Sequence, residues 1–206
     1  TGALRPTAGT VRLNGQDVTG LPPHKLFARG LGRTFQIPRP FARMSVLENL
    51  MLAPTGQTGE TVAGPFLSAG KVRAEEDCIR DKALEVLDFM TLGPLADHPA
   101  GKISGGQMKL LELARVLMGD PAIILLDEPA AGVNPALTRT LIGRIEELIA
   151  RGTSFVIIEH DMDFVMRHCD PVIALAEGRV IFEGTAAEAH SNAGLLDAYL
   201  GAPVDA

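Results

Sequence analysis

Hydrophobic and polar positions change period several times along the chain. Thr10-Val11-Arg12-Leu13 alternates, Asn14-Gly15 is a two-residue hairpin signal, and Gln16-Asp17-Val18 resumes the alternation, so an antiparallel hairpin is predicted at the start. A polar turn around Pro22-Pro23 leads into a short amphipathic piece, and Leu31 to Gln36 reads as a strand that delivers Gln36 to its end. Ser45 to Leu52 predicts a short helix, and Thr55 to Gly70, rich in Gly and Thr with little periodicity, predicts a loop. Lys71 to Thr91 carries Ile79, Ala83, Val86, Leu87 and Met90 at helical spacing with charges between them. A second amphipathic helix is predicted after Ser104-Gly105-Gly106, with Leu110, Leu113, Ala114, Leu117 and Met118 on one face and Lys109, Glu112 and Arg115 off it.

After Asp120-Pro121 the period changes. Ala122 to Leu126 is a continuous apolar run closed by Asp127-Glu128-Pro129, the pattern of a strand buried on both faces of a parallel sheet. Leu137 to Ala150 is helical, and Ser154 to Ile158 reads as a second buried strand ending in Glu159-His160-Asp161. Another helix precedes Pro171, and Val172 to Ala176 pairs with Arg179 to Phe182 around Glu177-Gly178. Strand, helix, strand, helix, hairpin is the order of an α/β domain with a parallel sheet and an antiparallel margin. The helical block is an insertion into it. The expected organisation is therefore residues 1–40 as the first part of the core, 41–119 as a helical subdomain, and 120–206 as the second part of the core.

A chain of 206 residues can bury a core as one substantial domain or two small subdomains. Hydrophobic residues at 46% and charged residues at 21% exclude fibrous and low-complexity classes. The 19 Lys and Arg against 25 Asp and Glu leave a net charge of −6, which makes non-specific nucleic-acid or polybasic membrane binding a poor fit. Two cysteines, Cys78 and Cys169, do not make a disulfide framework. The apolar runs fall far short of the roughly 20 residues a spanning helix needs, so any work at a membrane requires other chains for the spans.

The chemistry-bearing residues gather at strand ends and at one helix start, since ligands of open parallel sheets bind beyond the carboxyl ends of strands. Asp127, Glu128 and His160 are candidates for one site. An Asp after four apolar residues can hold magnesium, and the Glu that follows can orient or deprotonate a water. Asp127-Glu128-Pro129 alone also reads as a strand that simply ends at a turn. Ser104-Gly105-Gly106-Gln107 makes Ser104 a helix N-cap and leaves backbone N–H groups open to a phosphate-sized anion, or is an ordinary glycine-containing cap.

Taken in order, Gln36 after a strand, Ile103-Ser104-Gly105-Gly106-Gln107 opening a helix, Ile123 to Pro129, and His160 after a later strand resemble the ATP-binding cassette (ABC) family over essentially the whole chain. Gly32-Arg33-Thr34-Phe35-Gln36, Arg39-Pro40-Phe41, Met44 to Leu50, Glu128 to Pro135, Glu159 to Met162 and Tyr199-Leu200-Gly201 are similar to the cassettes of importers for branched-chain and related hydrophobic amino acids. Amide and urea importers share much of this pattern. A cassette ATPase acting on DNA or ribosomes is the alternative outside transport, and the acidic balance weighs against it.

The resemblance implies a phosphate-loop ATPase fold and a transport-coupled ATPase that uses ATP and Mg2+ at the cytoplasmic face of the inner membrane. Two ATPase subunits would sandwich nucleotide, alongside transmembrane permease subunits and, indirectly, a substrate-binding protein, with no nucleic-acid partner. It assigns Gln36 and Asp127 to magnesium and water, Glu128 to general-base catalysis and His160 to the γ-phosphate. Ser104, Gly105, Gly106 and Gln107 would contact the nucleotide held by the partner subunit, and Asn134 would communicate across the dimer. Two departures stand out: Ile103 where leucine is usual, a volume-conserving change, and Asn134 where many cassettes carry Asp. The family's Gly-x-x-x-x-Gly-Lys-Ser/Thr loop is missing, because the two Gly-Lys pairs, Gly70-Lys71 and Gly101-Lys102, are followed by Val72 and Ile103. Thr1 to Pro6 reads as a helix leaving through a glycine and a proline, so the chain is expected to begin inside a longer protein and, by itself, to be catalytically inactive.

Overall fold

β1 (Arg12–Leu13) and β2 (Gln16–Asp17) pair antiparallel, Arg12 opposite Asp17 and Leu13 opposite Gln16, in the computed structural model, which describes residues 1–60, 68–192 and 194–195. Only Asn14 and Gly15 turn the chain, and both take positive φ, 50° and 77°, the geometry whose twist matches that of the flanking strands. Leu13, Val18 and Leu26 form a small buried cluster, with Leu31 and Ile123 packed on it. Leu26 comes from the five-residue α1 (Pro23–Phe27). The helix end expected at Thr1–Pro6 is absent; that stretch carries no regular element, although Gly2 is left-handed at 74°.

The chain divides into two compact units, Thr1–Val156 and Ile157–Ala206. In the first, β3 (Leu31–Arg33) runs parallel to β4 (Ile123–Asp127), with Leu31 opposite Ile123 and Arg33 opposite Leu125. The Thr34 N–H donates to the Leu125 carbonyl at 3.0 Å and carries the pairing one residue further. The sheet order is β3-β4-β5, and β5 (Ser154–Ile158) begins beside Ala122, whose carbonyl accepts the Ser154 N–H at 2.9 Å. Gly32 has no room for a side chain, because a Cβ there would overlap Val116 of the helix beneath.

Two burial expectations are corrected. In β4 only Ile124 and Leu126 are buried, while Ile123 and Leu125 are half-buried, so one face of the strand meets the core and the other is partly covered. β5 is not a buried strand: Ser154, Val156 and Ile158 are exposed, and Phe155 and Ile157 are half-buried. Hydrophobic run length reports what a strand could bury, whereas the number of elements stacked on each face decides what it does bury.

Within the helical stretch, α2 (Val46–Met51) starts from a reciprocal cap in which Ser45 accepts the Glu48 N–H and Glu48 accepts the Ser45 N–H. A short 3-10 turn, Thr58–Glu60, interrupts the expected loop; the rest of that prediction, 61–67, lies outside the described residues. α3 (Ala69–Phe89) starts two residues before Lys71 and buries Ala83 and Leu87, with Met90 buried at its cap. α4 (Gly105–Leu117) buries Leu110, Leu111, Leu113, Ala114, Val116 and Leu117, a wider stripe than the sequence predicts. That width also encloses Glu112, expected off the apolar face and here 8% exposed. α5 (Pro135–Ala150) completes the unit.

The second unit holds α6 (Met162–His168), an antiparallel pair β6 (Val172–Ala176) and β7 (Arg179–Gly184) with a register shift between Ala174 and Leu175, and α7 (Ala186–Ser191). Val172, Ala189 and Leu195 form its core, with Met166, Val165 and Phe182 against them. Its sheet exposes Ile173, Leu175, Val180 and Ile181. The fold is thus mixed α/β, with parallel pairing, helices and an antiparallel hairpin. Among the described residues no helix is long and apolar enough to cross a membrane.

Candidate functional site

Parallel pairing of β3 with β4 brings the ends of two strands side by side, and the residues just beyond them meet. The Gln36 amide Nε2 donates to Glu128 Oε2 at 2.6 Å, across 92 positions of sequence. Asp127, the last residue of β4, pairs with Arg33 at the end of β3, Nη2 to Oδ2 at 3.3 Å, and both side chains are about one-third exposed. Glu128 itself has φ 46°, a left-handed conformation that costs a non-glycine residue of order 1 kcal/mol or more. It is held there partly by Lys109 of α4, whose Nζ donates to the Glu128 carbonyl at 2.6 Å.

The helix start predicted at Ser104 is present. Ser104 Oγ accepts the Gln107 N–H at 3.3 Å and Gln107 Oε1 accepts the Ser104 N–H at 2.9 Å, a closed capping box. The two glycines that follow differ in purpose. A Cβ on Gly106 would lie 2.5 Å from Leu137 Cδ1 and 3.2 Å from Val133 Cγ1, so Gly106 is there to let α4 approach the start of α5. A Cβ on Gly105 would meet nothing within 4 Å, so the first turn faces open space at Gly105. Asn134 caps α5, its Oδ1 accepting the Leu137 N–H at 2.9 Å. His160 belongs to the second unit, exposed between the end of β5 and Asp161, the residue that caps α6.

Three functional neighbours escaped sequence reasoning: Arg33, Lys109 and Glu112. Glu112 Oε1 accepts the Phe35 N–H at 2.9 Å, immediately before Gln36. Burial raises the Glu112 carboxyl above its ordinary value, a shift opposed by the Phe35 hydrogen bond and by the Arg115 and Lys109 charges. Burial likewise lowers Arg115, whose Nε is buried without a hydrogen-bond partner and whose guanidinium lies 5.5 Å from the Phe41 ring centroid. For Lys109 and Glu112 the helical charge pattern was the signal, and it placed all three charges of α4, Arg115 included, outside the apolar stripe; Arg33 stood in the Gly32 to Gln36 motif without a role of its own. Beside them opens a cleft of about 770 Å³ lined by Phe35, Gln36, Ile37, Arg39, Arg115 and Asp127. Phe35, Ile37 and Phe41 are all more than half exposed, so Phe41 is not a core residue.

The family model described as "ABC transporter" matches residues 1–131. The probable branched-chain amino acid transport ATP-binding protein LivG of Archaeoglobus fulgidus is 42% identical over 98% of this chain and 77% of its own length. The high-affinity branched-chain amino acid transport ATP-binding protein BraF of Pseudomonas aeruginosa is 36% identical over 98% of this chain and 79% of its own. The crystal structure of an ATP-binding cassette in its ADP conformation superposes with a TM-score of 0.79, at 36% identity, over 98% of this chain and 80% of that one. A family match across the segment that joins Gln36 to Glu128, with relatives more than one-third identical along nearly the whole chain, means that this chain belongs to the ABC transporter family.

Proposed function

We propose that this chain provides the catalytic carboxylate and the signature helix of the ATP-binding and ATP-hydrolysing subunit of an ABC importer for branched-chain or related hydrophobic amino acids, working at the cytoplasmic face of the inner membrane. The observation that carries the reading is the 2.6 Å contact between Gln36 and Glu128, which joins two motifs 92 residues apart at the end of a parallel sheet. Likeness to transport ATP-binding proteins named for branched-chain amino acids supports the substrate class.

In this reading Glu128 is the general base that takes a proton from the attacking water, and Gln36 orients that water and the base together. Asp127 and Gln36 carry the oxygen donors that would hold Mg2+, with Arg33 beside Asp127 in this structure. When bound, the ion neutralises charge developing on the phosphates. His160 contacts the γ-phosphate, Asn134 signals across a dimer of ATPase subunits, and the open first turn at Ser104, Gly105, Gly106 and Gln107 receives the γ-phosphate of nucleotide held by the partner. Hydrolysis is passed to transmembrane permease subunits, which a substrate-binding protein serves. Residues 1–206 contain no Gly-x-x-x-x-Gly-Lys-Ser/Thr loop, so as an isolated polypeptide they do not hydrolyse ATP.

The test is Glu128→Gln in the full-length gene product. It keeps size and removes the base, so turnover falls roughly 10²- to 10⁴-fold while Mg-ATP still binds. Near-normal steady-state hydrolysis by this variant refutes the assignment.

A further inference from the structure

Glu128 carries the chemistry in the function proposed above, yet its backbone is in a conformation it would not choose alone. Its φ of 46° turns the peptide so that the carbonyl meets Lys109 and the carboxylate meets Gln36. Lys109 sits one turn into α4, four residues beyond the open Gly105 and on the same helix as Glu112, which holds the Phe35 N–H next to Gln36. Both partners of the Glu128–Gln36 contact are therefore tied to α4: Glu128 through its carbonyl, and Gln36 through the backbone of its neighbour.

We propose that Lys109 is a positioning residue. Its ammonium clamps the Glu128 carbonyl, holds the left-handed peptide and so keeps the carboxylate aimed at the water that Gln36 orients. This inference rests on the reading of Glu128 as general base.

The experiment uses the full-length gene product with Lys109→Met and Lys109→Arg, assayed for kcat, KM for Mg-ATP and thermal unfolding. Misplacing a reacting group by about an ångström costs on the order of 100-fold. Lys109→Met is expected to lower kcat by about 10- to 100-fold with KM within about twofold, and Lys109→Arg, which still donates to a carbonyl, to recover most of it. A crystal structure of Lys109→Met should show Glu128 relaxed to negative φ and its contact with Gln36 lost. A folded Lys109→Met with wild-type kcat overturns the proposal, as does Lys109→Arg as impaired as Met. If Lys109→Met does not fold, Lys109→Arg decides alone: normal kcat supports the clamp, and a folded but slow Arg variant sinks it. A wild-type protein without Mg-ATPase activity overturns the functional reading itself and this inference with it.

Discussion

Glu112 is the most informative residue to perturb, because one carboxylate joins the buried face of α4 to the backbone beside Gln36. It is 8% exposed and accepts the Phe35 N–H at 2.9 Å. Glu112→Ala removes a charged acceptor, a loss of about 1.5–3 kcal/mol. It also leaves the half-buried Arg115 without its attractive partner charge, so a total loss of about 2–4 kcal/mol is expected. Glu112→Gln keeps an oxygen for the Phe35 N–H and should stay within about 1 kcal/mol of wild type at neutral pH. The pH dependence separates these effects. Burial raises the native pKa above its ordinary value of 4.5, so the folded protein holds this proton more tightly than the unfolded chain. The proton-linked part of the stability Glu112 contributes is therefore complete below about 4.5 and is lost as pH rises through the native value, while the Phe35 hydrogen bond is made by either form. Urea unfolding of wild type and Glu112→Gln across pH 4 to 8 measures this directly, the gap moving in favour of wild type as pH falls. Amide exchange at Phe35 reports the local contact. A Glu112→Ala variant within about 0.5 kcal/mol of wild type, or a gap that moves the other way with pH, refutes the reasoning.

The two glycines of the helix start should separate cleanly. Gly106→Ala places a Cβ 2.5 Å from Leu137 and should destabilise by about 1–3 kcal/mol in urea titration, whereas Gly105→Ala should be nearly neutral and Gly105→Asp should abolish hydrolysis in a folded protein. Phe41→Ala, at a 52% exposed residue whose ring lies 5.5 Å from the Arg115 guanidinium, should reduce reconstituted transport more than the ATPase rate of the isolated subunit; equal losses would exclude a coupling role. Residues 1–206 as an isolated polypeptide should neither bind Mg-ATP tightly in calorimetry nor remain monomeric in light scattering, given the exposed Val156, Ile173, Leu175 and Val180; micromolar affinity or a clean monomer would count against the respective half.

Local signals carried the elements. Asn14-Gly15 specifies its turn because both residues tolerate positive φ, Ser104 and Ser45 cap their helices through partners three residues away, and Val172 to Gly184 pairs across Glu177-Gly178. Each of these is decided by groups a few residues apart, so the sequence is sufficient to read them. The ordered motifs likewise made the family legible, since Gln36, Ser104 to Gln107, Asp127 and Glu128 stand in its order. Burial was not legible in the same way: the apolar runs at Ala122 to Leu126 and Ser154 to Ile158 look alike, yet Ile124 is buried and Val156 is half exposed, because only packing decides which face a neighbour covers. The charges of α4 show the same limit. Helical spacing puts Lys109, Glu112 and Arg115 off the apolar stripe, but α4 is enclosed on more than one side, so Glu112 turns inward to Phe35 and Lys109 reaches Glu128. Those contacts span 77 and 19 positions, and the one between Gln36 and Glu128 spans 92. Separations of that size are closed by strand pairing and helix packing, so the residue types were readable from the chain while their meeting was decided by the tertiary structure.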